Sequence, residues 1–134
     1  MNLPPEYQNA IRFQFGDSPE LADELLELVL RGVKTATCGA LRDYGEAEPM
    51  PQVGRRDVVL DGAGRPACVI ETTEVTIQRF CDVDNAFAIA EGEGPYEAWR
   101  SGHRAYFARN GGFDPEMPLV CERFRLILVL DRPA

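Results

Sequence analysis

The segment RRDVVLDGAGRPACVIETTEVTIQRF, residues 55–80, restricts the fold more than any other part of the chain. Its DVVL run and residues 67–79 are rich in residues that suit a pleated surface, and DGAG between them supplies the turn. The segment reads as a β-hairpin with a short first arm and a longer second one. A third committed strand, LVCERFRLILVL at residues 119–130, follows only after a long helical stretch. Helices therefore precede, interrupt and flank strands that lie far apart in sequence. That order predicts an α+β domain with a mostly antiparallel sheet, able to curl into a small barrel.

The helices carry their own punctuation. In SPELADELLELVLRG, residues 18–32, Ser18 can cap, Pro19 suits the first helical position, and Glu20 lies near the positive end. Leu21, Leu25, Leu28 and Val29 recur at helical spacing, and Gly32 is a stop signal. DVDNAFAIAEG predicts a short helix ending near Gly92, and PYEAWRSGHRAYFARNGG a longer one from Pro95 to Gly111 or Gly112. Residues 4–14 read as a first short helix. Residues 40–54, with Gly45, Pro49, Pro51 and Gly54, read as loop.

With 134 residues, the expectation is one domain over residues 1–134, large enough to bury a core without disulfides or metal. No apolar run approaches the ~20 residues that span a bilayer, and MNLPPEYQNAIRF lacks the features of a signal peptide. A cytosolic setting is expected, with no membrane partner. Cys38, Cys68, Cys81 and Cys121 show no CxxC spacing and share one histidine, so free thiols and no metal are predicted. The formal net charge of −8 opposes tight binding of long nucleic acids, which depends on cations displacing counterions from phosphates. A nucleoside carries no phosphate and escapes that penalty. The Arg55–Arg56 pair could still hold a short strand.

The stretch RGVKTATCGAL, residues 31–41, contains the single lysine of a chain whose other basic side chains are all arginine. A guanidinium stays protonated and cannot act as a general base, whereas a buried amine can. The alternative is compositional chance on a solvated loop. Thr37 offers a hydroxyl that a neutral amine could activate as a nucleophile. Thr35 and Thr37 also fit a plain strand, in which positions three apart face opposite ways. Lys34 and Thr37 converge only if the backbone turns after Gly32.

GVKTAT resembles the glycine–x–lysine–x–x–threonine motif of the ASCH domains, members of the PUA-like superfamily. The wider pattern VIETTEV…AEGEGPYEAW…MPLVCERF is similar to a largely uncharacterised subgroup of that family, over about residues 20–130. The resemblance implies a small β-barrel with peripheral helices. It also implies a chemistry, because one characterised branch removes the acetyl group from N4-acetylcytidine without a cofactor. In that branch a lysine is the base, a threonine the nucleophile and a glutamate the proton donor. These roles fall on Lys34, Thr37 and Glu93, with Glu91 two residues away in AEGEG as the other choice for the acid. Many family members carry an arginine two residues beyond the motif threonine; here Gly39 stands there, and Arg42 is the candidate to take over substrate contact.

Other candidates come from the residues themselves. Gly92 and Gly94 free the backbone around Glu93, although the helix starting at Pro95 favours the ionised carboxylate rather than a proton donor. Glu71 and Glu122 each share an alternation face with apolar residues, so each needs an ion-pair partner or a polar cavity. Tyr96 could stack on a base, and Thr35 lies beside the nucleophile. These considerations make Thr35, Arg42, Glu71 and Tyr96 the candidate substrate-binding residues. His103 is read as a partly buried polar residue without a catalytic role. The leading expectation is a metal-independent amidohydrolase for an acylated nucleoside. The alternatives are a non-catalytic RNA-binding module and an endoribonuclease acting on single-stranded RNA.

Overall fold

The structure, a computed structural model, describes residues 3–132. Five strands and three α-helices follow in the order β1 (Arg12–Phe13), α1 (Pro19–Leu30), β2 (Ala36–Ala40), β3 (Arg56–Leu60), β4 (Pro66–Arg79), α2 (Asn85–Glu91), α3 (Tyr96–Arg109) and β5 (Pro118–Val129). The strands form one sheet in the spatial order β1-β3-β4-β5-β2. Every pairing is antiparallel except that of β1 with β3.

The hairpin and the distant final strand assemble as their composition predicts. β3 and β4 pair across the turn at residues 61–64, and β5 runs along almost the whole of β4. Register shifts between Val69 and Ile70 and between Thr72 and Glu74 interrupt the β4–β5 ladder. Such bulges bend a strand and raise its twist. Among the described residues the ladder does not close, so β1 and β2 remain its edges. The edges nevertheless face one another across a gap, because one cavity is lined by Ile11, Phe13 and Phe15 on the β1 side and by Thr37, Cys38 and Gly39 of β2. The PUA-like barrel expectation thus corresponds to a curled α+β sheet with an open seam.

Of the three apolar clusters on that sheet, one gathers Leu3, Tyr7, Val58, Val69 and Leu130, and the other two lie beneath helices. α1 packs Leu25, Leu26 and Val29 against Val59, Cys68, Ile70 and Phe124. α2 and α3 pack Phe87, Ala88, Trp99 and Phe107 against Ala36, Ala40, Leu119 and Cys121. The start of α1 is as read: the Ser18 hydroxyl accepts a hydrogen bond from the Leu21 amide at 3.1 Å.

The expected helix over residues 4–14 does not form. Pro5–Tyr7 makes one 3-10 turn, and Arg12–Phe13 is a strand. Pro4 and Pro5 suit an opening turn, but Ile11, Phe13 and Phe15 alternate with polar residues at strand period, and that pattern takes over. Among the described residues no helix is long and apolar enough to cross a membrane.

Candidate active site

Lys34 is placed by the end of α1. Gly32 takes a positive φ of 77°, and the Val33 and Lys34 amides both donate to the Leu28 carbonyl, at 2.9 and 3.1 Å. This turn precedes β2, so Lys34 and Thr37 are not bound by strand alternation. Both line a cavity of about 280 Å³, together with Cys38, Glu91, Glu93 and His103. Phe15 completes the wall beside Lys34, its ring centroid 5.4 Å from Nζ.

Lys34 is almost fully enclosed, its side chain 1% exposed. Its Nζ lies 3.0 Å from Glu91 Oε1 and 3.8 Å from Glu93 Oε2. A buried ammonium needs such a partner, since an unbalanced charge in a dry interior is heavily penalised. Glu91 is equally buried, and its second oxygen accepts from the Trp99 indole Nε1 at 2.9 Å. Burial by itself would raise the Glu91 pKa. The Lys34 charge, His103 and the indole hydrogen bond outweigh it and hold the pKa down to about 2.

Glu93 behaves differently two residues on. Its side chain is 28% exposed, and it stands between Gly92 and Gly94, which take φ values of 78° and 97°. Burial raises its pKa despite the opposing charges of Lys34 and His103. The geometry separates the two candidates that AEGEG offers. Glu91 is the enclosed counter-ion of Lys34, and Glu93 is the cavity-facing carboxyl group with the greater hold on a proton.

The chain also matches the ASCH domain family model over residues 11–128. It belongs to the ASCH family. Two solved structures support the assignment across nearly all of the domain. A protein from Enterococcus faecalis is 35% identical with a TM-score of 0.82, covering 96% of this chain and 79% of its own. An ASCH domain from Lactobacillus crispatus is 34% identical with a TM-score of 0.83, covering 92% of this chain and 82% of its own. A tyrosine-to-phenylalanine variant of the ASCH protein from Zymomonas mobilis shares the fold at 13% identity and a TM-score of 0.50, covering 87% of this chain and 67% of its own. No curated protein matches the sequence.

The ASCH fold brings Lys34, Thr37 and Glu93 to one cavity, but it does not bring the four candidate substrate-binding residues to its lining. Thr35 is exposed, with its hydroxyl 3.5 Å from the Ala90 carbonyl. Arg42 donates to the Asn110 and Gly112 carbonyls at 3.4 and 2.7 Å, which ties it to the end of α3. Glu71 is held between Arg56 and Arg125, so it follows the ion-pair alternative. Tyr96 stacks on Trp99 with ring centroids 6.1 Å apart, and its hydroxyl donates to the Val83 carbonyl.

Glu122 takes the polar-cavity alternative. It accepts from the Thr72 hydroxyl at 2.6 Å and lines the adjoining seam cavity of about 380 Å³. That cavity shares Phe15, Gly16, Thr37, Cys38 and Tyr106 with the first, so Thr37 stands at the junction. The guanidinium lining the seam belongs to Arg55, which is tied to Asp57 by contacts of 2.8 Å. Beside it, the Tyr44 hydroxyl stands 2.9 Å from where a β-carbon on Gly39 would be. Any side chain at position 39 therefore has to displace the Tyr44 ring.

His103 is partly buried, as read from the sequence, but that reading gave it no place in the site. It lines the cavity, with Nε2 lying 3.4 Å from Glu91 Oε2 and 3.7 Å from Glu93 Oε2. The available signal was the four-residue helical spacing from Trp99, on which the ring stacks at 4.5 Å. Cys38, Glu91 and His103 also present donor atoms within 4.8 Å of one another. A metal ion there would have to displace the Lys34 ammonium from Glu91 and deprotonate a thiol whose pKa burial and the nearby Glu91 push well up. The donor set fits an ammonium better than a metal.

The four cysteines are free thiols. Cys68 and Cys121 are buried, whereas Cys81 lies in an exposed 3-10 turn (Phe80–Asp82).

Proposed function

We propose that this ASCH domain is a metal-independent hydrolase that removes an acyl group from a modified nucleoside, an amide of the N4-acetylcytidine kind. The observation that carries this reading is the meeting of Lys34, Thr37 and Glu93 on one partly enclosed cavity. In the reaction, the Lys34 ammonium first passes a proton to Glu91 Oε1, 3.0 Å away, and takes it back when the turnover ends. The amine so formed accepts the proton of the Thr37 hydroxyl as that hydroxyl attacks the acyl carbonyl. Glu93, the carboxyl group with the raised pKa, protonates the departing amine. Water then releases the acyl group from Thr37, whose oxygen recovers its proton from Lys34.

The charge pattern supports a small uncharged substrate over a phosphate backbone. The cavity's cations are already balanced, Lys34 by Glu91 and Arg109 by Asp17. A strand of RNA would meet neutralised cations on a chain of net charge −8.

The test is release of cytidine from N4-acetylcytidine by the wild type, Lys34→Arg and Thr37→Ala, with circular dichroism to verify folding. The expected result is turnover by the wild type and background rates for both folded variants. Undiminished activity in either folded variant overturns its assigned role. Cyclic phosphate ends after incubation with single-stranded RNA, without deacylation, would replace the reading with strand cleavage.

A further inference from the structure

His103 is fixed at one nitrogen by a group that can only accept. Its Nδ1 lies 2.9 Å from the Trp99 carbonyl, so Nδ1 carries a proton and donates it there. A neutral ring would then present the bare Nε2 lone pair to two carboxylates, Glu91 Oε2 at 3.4 Å and Glu93 Oε2 at 3.7 Å. Three acceptors converging without a proton repel one another in a site of low polarisability. One proton must reside among them.

Glu91 is the poorest home for that proton, because its oxygens already receive the Lys34 ammonium and the Trp99 indole N–H. His103 and Glu93 are left to hold it. The other ionisable groups on the cavity wall, Cys38, Tyr106 and Arg109, do not compete: burial keeps the thiol and the phenol protonated, and the guanidinium is engaged by Asp17.

We propose that His103 and Glu93 share this proton and act as one acid, with the imidazolium reloading Glu93 during each turnover. The proposal rests on the acyl-transfer reading above. As the amine departs, the one shared proton passes from Nε2 through the Glu93 carboxyl group to the amine, which leaves His103 neutral and Glu93 ionised. In the second half, the proton lost by the attacking water returns to Nε2 by way of Glu93. Lys34 meanwhile returns its proton to the Thr37 oxygen. Both bases and the acid end as they began, and no co-reactant is needed. The gap of 3.7 Å is short enough to close by a small movement of Glu93, whose neighbours Gly92 and Gly94 supply the backbone freedom. His103 acts through Glu93, so it is a positioning and proton-supplying residue.

The chain holds one histidine, so its ring nitrogens give unambiguous signals in a long-range nitrogen–proton NMR titration of the intact protein. In the wild type the imidazolium should persist above the ordinary histidine value of 6.5, and Glu93→Gln should bring the midpoint down. With N4-acetylcytidine, His103→Gln should lower kcat about a hundredfold, leave KM nearly unchanged and shift the alkaline limb of the pH profile. A midpoint that ignores Glu93→Gln overturns the shared proton. So does a His103→Gln pH profile identical to the wild type in a folded protein. A coupled titration in a protein that hydrolyses no acylated nucleoside overturns the reloading role and the acyl-transfer reading, while the resting proton pair stands.

Discussion

Glu91 answers to two cations and an indole at once, and the consequences can be measured at this residue. Removing its charge as Glu91→Gln leaves the Lys34 ammonium enclosed, with the backbone carbonyl of residue 91 at 3.4 Å and Glu93, at 3.8 Å, as the nearest carboxylate. Breaking a buried pair from one side costs about 3–5 kcal/mol, so denaturant unfolding of this variant should show a loss of that order. A loss below about 1 kcal/mol would mean that the pair is solvated. Lys34 was legible in the sequence because one amine stood out against uniform arginine. The division of labour between Glu91 and Glu93 was not, because two carboxylates two residues apart differ only in what surrounds them. His103 was illegible for a related reason: its carboxylate partners, Glu91 and Glu93, lie on a segment outside its own helix, and a lone histidine carries no pattern.

At the scale of elements, the join between α2 and α3 sets the acid in place. Gly92 ends α2 with a left-handed φ of 78°, and a β-carbon there would lie 3.0 Å from the Val33 carbonyl oxygen. Gly92→Ala meets both strain and backbone contact, each costly for a residue with a side chain. Thermal denaturation should show about 1–3 kcal/mol of destabilisation, and hydrolysis should fall because Val33 adjoins Lys34. Unchanged stability would mean that the loop relaxes freely. α1, the hairpin, α2, α3 and β5 were readable from caps, turns and periodicity. The segment over residues 4–14 was misread because prolines at its start suggested a helix while strand alternation took over from Ile11. The bulges of β4 leave no mark in composition, so the face on which Glu71 lies could not be settled by counting alternate residues.

For the whole molecule, the open seam between the sheet edges is what makes the site accessible. A sheet curled by bulges but not closed leaves a cleft along β1 and β2, and Thr37 stands where the two cavities meet. The same buried charges set the response of the fold to pH. Glu91 has a folded pKa of about 2, below its ordinary 4.5, so its contribution is present above 4.5 and is lost as pH falls toward 2. His103 is raised in the fold, so its contribution is present below 6.5 and is lost as pH rises through the folded value. Melting temperature should therefore fall on the acid side between pH 4.5 and 2, and Glu91→Gln should flatten that limb. An unaltered acid limb in the variant would assign acid unfolding to other carboxylates.

The most direct test of the acyl-transfer account is rapid-quench mass spectrometry of the wild-type protein mixed with N4-acetylcytidine, with the adduct mapped by peptide fragmentation. The account predicts a transient acetyl group on Thr37 that appears with free cytidine and decays as acetate is released. Cytidine released at the same rate by Thr37→Ala, with no acetyl group on the protein at any time, would contradict it.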